Sequence, residues 1–293
     1  MQNIVTHFSE SEFSNSADIF FANRSVTYSG AGNSSSKALL ISDILRKSAG
    51  KDSSGRVGSL LWVVNGDQEA GQVRRSMSAW GSREVFVFKG IKDEDRGSFS
   101  TGSSFERESK IRLAEFVSRV VSKSGKDKNA FIIPFESVFQ KFPSGREMLG
   151  GVLKLKVEEE QDVVCFISSL VDMGYENAED EYLKKGEYFK IGDTVVLWPV
   201  DSDQAYRVEF SFDKIEKITG YSVEEKQSLN SQQTLSVFPI EYEEEVEGVL
   251  DLLEEDSVII DDELDITDDY YAAWNGFMEE AGKNMDKIKP ELD

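Results

Sequence analysis

The sequence predicts an α/β protein in which a helix-covered parallel sheet is interrupted by a small α+β unit. Three observations lead there. Over the first half, short apolar runs alternate with amphipathic stretches of helical spacing, the pattern of strands joined by crossover helices. From Gly150 the texture changes to strands with one solvated face. After Thr234 the buried-strand pattern returns. The expected domains are an α/β part over 1–149, an α+β unit over 150–232, and a return to the α/β part over 233–293. At 293 residues the chain suits about two domains.

Each element follows from local chemistry. Lys37–Lys47 places Leu39, Leu40, Ile44 and Leu45 at helical spacing. Ser59–Val64 is a short apolar run ending at Asn65-Gly66-Asp67, which predicts a buried strand and a turn. Gln68–Trp80 has Ala70, Val73, Met77 and Trp80 on one helical face, and Gly81 ends it. Glu84–Phe88 predicts a strand, and Ser- and Gly-rich Ile91–Glu108 a loop. Ser109–Ser122 predicts a helix, and Ala130–Ile133, closed by Pro134, a strand. In the middle, Leu153–Val157 alternates as a strand does. Asp162–Met173 predicts a helix with a carboxylate at its positive end. Tyr188–Pro199 and Tyr206–Ile218 are β-rich runs joined by the polar turn Asp201–Gln204. Asp256–Asp261 predicts another buried strand, and Asp269–Ala281 a last helix.

Composition excludes several functions. The chain carries 33 Lys and Arg against 55 Asp and Glu, net −22. That balance opposes tight DNA binding by this chain alone, because counterion release needs clustered cations, and it opposes docking on anionic lipid. The acidity is uneven: Glu241–Asp293 holds 20 Asp and Glu against 3 Lys, which is −17 of the −22. One cysteine, Cys165, excludes an intramolecular disulfide. One histidine, His7, argues against a triad or a histidine metal cluster. No apolar run approaches a membrane span, so a cytoplasmic protein with no membrane partner, metal or cofactor is expected.

A degenerate phosphate loop precedes the first helix. Ser29–Ala38 contains Gly30, Gly32 and Lys37 where a nucleotide loop belongs. Aligned on Lys37, the motif G-x-x-x-x-G-K-[ST] finds Ala31, Ser36 and Ala38 at its three other fixed positions. Ala38 has no hydroxyl for magnesium, so ATP hydrolysis is not expected. Asp261-Asp262-Glu263 after Val258–Ile260 has the form of a magnesium-binding strand end, and reads as a solvated acidic turn without a working loop. Cys165, in an apolar helix, reads as a core thiol. Trp62, Trp80 and Trp198 take core positions. Trp274, beside Tyr270, Tyr271 and Phe277, either docks on a partner or packs back, and packing is the commoner use of such a face. The run Glu158–Glu160 reads as a solvated stretch.

The middle unit carries a longer pattern. Met173-Gly174-Tyr175 is followed by Lys185-Gly186-Glu187-Tyr188-Phe189-Lys190-Ile191-Gly192-Asp193 and by Val195–Pro199. Tyr206-Arg207-Val208-Glu209-Phe210-Ser211-Phe212-Asp213 comes next, and Gln227-Ser228-Leu229 closes it. This resembles the domain shared by UvrB and the bacterial transcription-repair coupling factor (Mfd). With weaker agreement at Leu60–Trp80, Phe131–Pro143 and Val258–Glu263, the resemblance spans about residues 20–265. It implies a degenerate RecA-like domain interrupted by an interaction domain, with no helicase motor in this chain. The chain is then either a piece of a longer protein or a stand-alone relative. The resemblance also implies a UvrA-like protein as partner in nucleotide excision repair, met by an arginine, a second arginine and an aromatic. Arg207 occupies the first position; Ile191 and Ser211 replace the other two, with Lys190 and Phe210 beside them. The alternative for Arg207 is a strand-surface pair with Glu209 or Glu187. The alternative function is an acidic decoy or regulatory protein that keeps the fold and binds a different, basic partner.

Overall fold

The computed structural model describes residues 33–49, 59–80, 85–90, 102–122, 130–179, 182–253, 257–261 and 268–286. The chain order is α1 (Ser34–Ala49), β1 (Leu60–Val64), α2 (Asp67–Ala79), β2 (Val85–Val87), α3 (Gly102–Val121) and β3 (Ala130–Pro134). A 3₁₀ turn (Phe135–Phe139), β4 (Phe142–Pro143), α4 (Gly145–Gly150), β5 (Leu153–Lys156) and α5 (Val163–Asp172) follow. The next strands are β6 (Glu176–Asn177), β7 (Glu187–Ile191), β8 (Thr194–Leu197), β9 (Ala205–Ser211), β10 (Lys214–Ser222) and β11 (Gln227–Gln232). The chain continues with β12 (Thr234–Val237), β13 (Glu245–Glu247), α6 (Val249–Leu252), β14 (Val258–Asp261) and α7 (Asp268–Asp286).

These elements fall into two compact units. The first comprises Met1–Gly90, Lys123–Gln140 and Gly248–Asp293, and the second Ile91–Ser122 and Lys141–Glu247. The chain is α/β, as its sequence predicts.

The first unit is built on a parallel sheet of order β14-β1-β3-β2. Leu60 pairs with Val258 on one side and with Ala130 on the other. Every residue of β1 and β3 is buried, which is why their sequences are unbroken apolar runs rather than alternating ones. Leu60, Trp62 and Val64 share a core with Ala38 and Leu45 of α1 and with Ala70, Val73 and Met77 of α2. Trp80 is only half-buried at the end of α2, and its Nε1 donates to Ser35 O at 3.1 Å. Of the two readings of Trp274, packing holds. Its ring lies 5.3 Å from Phe135 and stacks on Phe277, while Tyr270 stacks on Phe139.

The second unit centres on a six-stranded sheet of order β11-β10-β9-β8-β7-β6, antiparallel except at β6–β7. Helix α5 lays Phe166 and Leu170 on one face, with the Phe166 ring 5.6 Å from Phe210. Asp162 caps α5, as its position predicts, by accepting from Val164 N at 3.1 Å. Two differences from the sequence reading arise here. The run Tyr206–Ile218 is a hairpin in which Phe212-Asp213 turns the chain, where alternation reads on through Phe212; the run Tyr188–Pro199 is also a hairpin, turned at Gly192-Asp193 where glycine permits it. Helix α3 begins at Gly102, inside the stretch read as a loop, and belongs to this unit, where Phe116 packs 4.8 Å from Phe142. The second unit therefore extends beyond 150–232 at both ends.

Candidate functional site

The hairpins β7–β8 and β9–β10 hold the residues expected to meet a partner. Strand alternation and register sort them. Ile191 pairs with Thr194, Thr194 with Glu209, and Glu209 with Lys217, so these four share a face. Arg207 pairs with Val196 and Thr219, and Ser211 with Lys214, on the same face. Lys190 and Phe210 lie on the opposite face. The register thus joins Arg207, Ile191 and Ser211 on one surface and separates Lys190 and Phe210 from it. Phe210 is 5% exposed against Phe166, so it is a core residue rather than a contact.

The shared face is divided. Toward the β8–β9 connection, Phe189, Val196, Ala205 and Tyr221 are buried in a small cluster with Leu183. Toward the turns it is open: Ile191 is 57% exposed, and Ser211 and Lys217 are exposed. Between the halves, Arg207 Nε lies 3.3 Å from Glu209 Oε1. The strand-surface pair foreseen for Arg207 therefore forms, with Glu209. Glu187 instead accepts from Lys184 N at 2.7 Å. A half-exposed pair of this kind contributes little to stability, about 0–1 kcal/mol, so its charges remain cheap to redirect.

The turns set these strands. Gly192 has φ 59 with nothing near the position of a Cβ. Phe212 takes the same left-handed conformation, φ 55, and is 96% exposed. Its alternation with Val208 and Phe210 predicts a packed side chain; the turn, which ends the strand one residue earlier, puts it in solvent. The two turns adjoin, since Phe210 N donates to Asp193 O at 2.8 Å.

The far end of the sheet is fixed by α3. Arg107 donates to Gly174 O at 2.8 Å and Gly186 O at 2.9 Å, and its Nε lies 3.1 Å from Glu176. A Cβ on Gly186, at φ 84, would stand 2.9 Å from Ile240 Cδ1, so the approach as well as the backbone requires glycine there. Buried Arg119 reaches Asp203 at 2.5 Å and Glu115 at 3.3 Å, and Lys185 also pairs with Glu115. Beside this network Asp201 buries Oδ1 without a hydrogen bond, and burial pushes its carboxyl up to about 6. Tyr175 is buried: its hydroxyl donates to Phe238 O at 2.9 Å and accepts from Val200 N at 3.3 Å, and burial raises its pKa. The glycine–tyrosine helix end of the sequence pattern is thus a structural stitch.

Other sequence-predicted sites resolve differently. Cys165 is exposed, not a core thiol. Helix α5 opens on the unbroken apolar run Val163–Ile167, so its composition does not reveal that Phe166 and Leu170 are its buried residues. Gly30 and Gly32 lie outside the described residues, as do His7, Asp262 and Glu263. Lys37 is half-buried in α1, and Ala38 is buried. Asn33 Oδ1 accepts from Ser36 N at 3.0 Å, so a side chain caps the helix end at which a phosphate would sit. Asp261 ends β14 exposed. Glu158–Glu160 are exposed, as expected of a solvated stretch. Part of the acidic region is used within the second unit: Glu241 pairs with Lys110 at 2.6 Å, and Glu247 accepts from Ser144 Oγ and Gly145 N. Among the described residues no helix is long and apolar enough to cross a membrane.

The sheet therefore has one packed face and one partly open face that ends in paired turns. Residues 153–242 match the family model described as the UvrB interaction domain. The match takes in both hairpins and covers less than half of the chain. No curated protein matches the chain.

Proposed function

We propose that this chain is a non-catalytic protein-interaction module that engages a UvrA-type partner in nucleotide excision repair, in the manner of the UvrA-recruiting region of the transcription-repair coupling factor. The observation that carries this reading is the interaction-domain match over the hairpins that bring Arg207, Ile191 and Ser211 to one face. A non-catalytic role is supported by Ala38, buried where a phosphate loop needs a hydroxyl, and by the Asn33 cap on the same helix. Arg207, whose one ion pair among the described residues is with the half-exposed Glu209, can exchange that partner for an acidic group across an interface.

The test is a titration of the purified chain against UvrA from the same source, with Arg207→Ala alongside. Saturable binding that weakens at least about tenfold in the variant is the expected result. No binding by the wild-type chain would overturn the reading.

A further inference from the structure

The turns of the two hairpins lie side by side, and start α5 lies with them, because Gln161 N donates to Asp213 O at 2.8 Å. At this end of the sheet, three large apolar side chains stand in solvent: Phe212 at 96%, Val164 at 67% and Ile191 at 57%. Phe212 is the anomaly among them. A left-handed backbone is uncommon for any residue with a β-carbon and an outlier for a bulky one. Gly192 makes the neighbouring turn at nearly the same φ without that penalty. A side chain this exposed gains nothing from burial on folding. Neither the backbone nor the core therefore selects phenylalanine at 212, and the turn aims it away from the protein.

We propose that Phe212 is an aromatic anchor that enters an apolar pocket on the module's protein partner, with Ile191 and Val164 bordering it. The occupant is the UvrA-type protein of the proposed function, and the inference rests on that reading. The anchor adjoins the face already assigned to the partner, since Ser211 precedes it on that face and Phe210, two residues back, is tied to the Ile191 turn. Aromatic side chains desolvated at the centre of a contact dominate interface energetics, whereas a rim of neutral contacts mainly excludes water. An uncharged anchor contributes the same affinity at low and at high salt, because screening acts on charges.

The experiment is the UvrA titration of the full chain with Phe212→Gly and Phe212→Trp, together with the melting temperature of each variant. Phe212→Gly is expected to weaken binding at least about tenfold, with a melting temperature equal to or above the wild type's. Phe212→Trp is expected to bind within about threefold of wild type, and the ratio of Phe212→Gly to wild-type affinity to change by less than about threefold between roughly 0.1 and 0.5 M salt. Unchanged binding by Phe212→Gly would overturn the anchor while leaving the UvrA reading standing. Loss of binding accompanied by a lower melting temperature would also overturn it, because the residue would then act through the fold. A wild-type chain that does not bind at all would remove both.

Discussion

The two turns at one end of the second unit solve the same backbone problem differently. Gly192 and Phe212 both take φ near +55 to +59, and both close a hairpin of the same sheet. The first uses the residue that meets the requirement at no steric cost. The second uses an aromatic that bears a cost on the order of 1–2 kcal/mol and gains no burial in return. A turn alone explains Gly192. Phe212 needs a reason outside folding, and the contrast separates residues that serve the sheet from residues that the sheet presents.

Variants can break or sharpen that contrast. The largest effect is expected beneath both turns, at the core they share. Phe166→Ala should cost about 3–5 kcal/mol, read as a lower urea midpoint, since Phe166 backs the face that carries Phe210. A loss below about 1 kcal/mol would mean that the turns do not ride on this core. Arg107→Ala should cost about 2–3 kcal/mol, as two carbonyls lose charged donors at the opposite end of the sheet.

Asp201→Asn should have the opposite sign. Burial raises this carboxyl to about 6 from its ordinary 3.8. Its favourable contribution is therefore fully present below about 3.8 and lost as pH rises through about 6. The variant should be more stable than wild type at pH 7, by about 2 kcal/mol, and the difference should vanish toward pH 4. A wild-type advantage at pH 7 would show that the ionised carboxylate is held by Arg119 and Lys185 after all.

The smallest effects test the turns themselves. Gly192→Val should cost about 1–2 kcal/mol through the backbone alone, because a Cβ meets open space there. Phe212→Gly should gain at most about 1 kcal/mol. If both variants lost stability equally, Phe212 would be a turn residue with a hidden packing role.

Much of the architecture is legible in the residues. Leu60–Val64 and Ala130–Pro134 read as buried strands because full burial leaves an unbroken apolar run. Asp162 announces the start of α5 through its capping chemistry. What escaped was set by tertiary contact. Gly102–Glu108 has the composition of a loop, and it is helical in a segment whose Arg107 finds its acceptors 67 and 79 residues away. Cys165 and Phe166 are equally apolar neighbours, and only packing decides which one is covered. The candidate surface was partly legible. The register brings Arg207, Ile191 and Ser211 to one face, but Lys190 and Phe210 cross to the other because side-chain direction alternates. Phe212 was misplaced since alternation cannot foresee the residue at which a strand stops.

The position of Arg107 bears on how this molecule can be divided. The guanidinium that secures Gly174 and Gly186 comes from a helix lying well upstream of the matched segment 153–242. Excising the matched residues alone would strip Gly174 and Gly186 of their charged donor and Asp203 of Arg119. The helix is instead a natural second fragment. Supplied as a separate peptide, it should restore the truncated piece by complementation, turning one covalent protein into a two-component association whose strength reports directly on how well the sheet is formed.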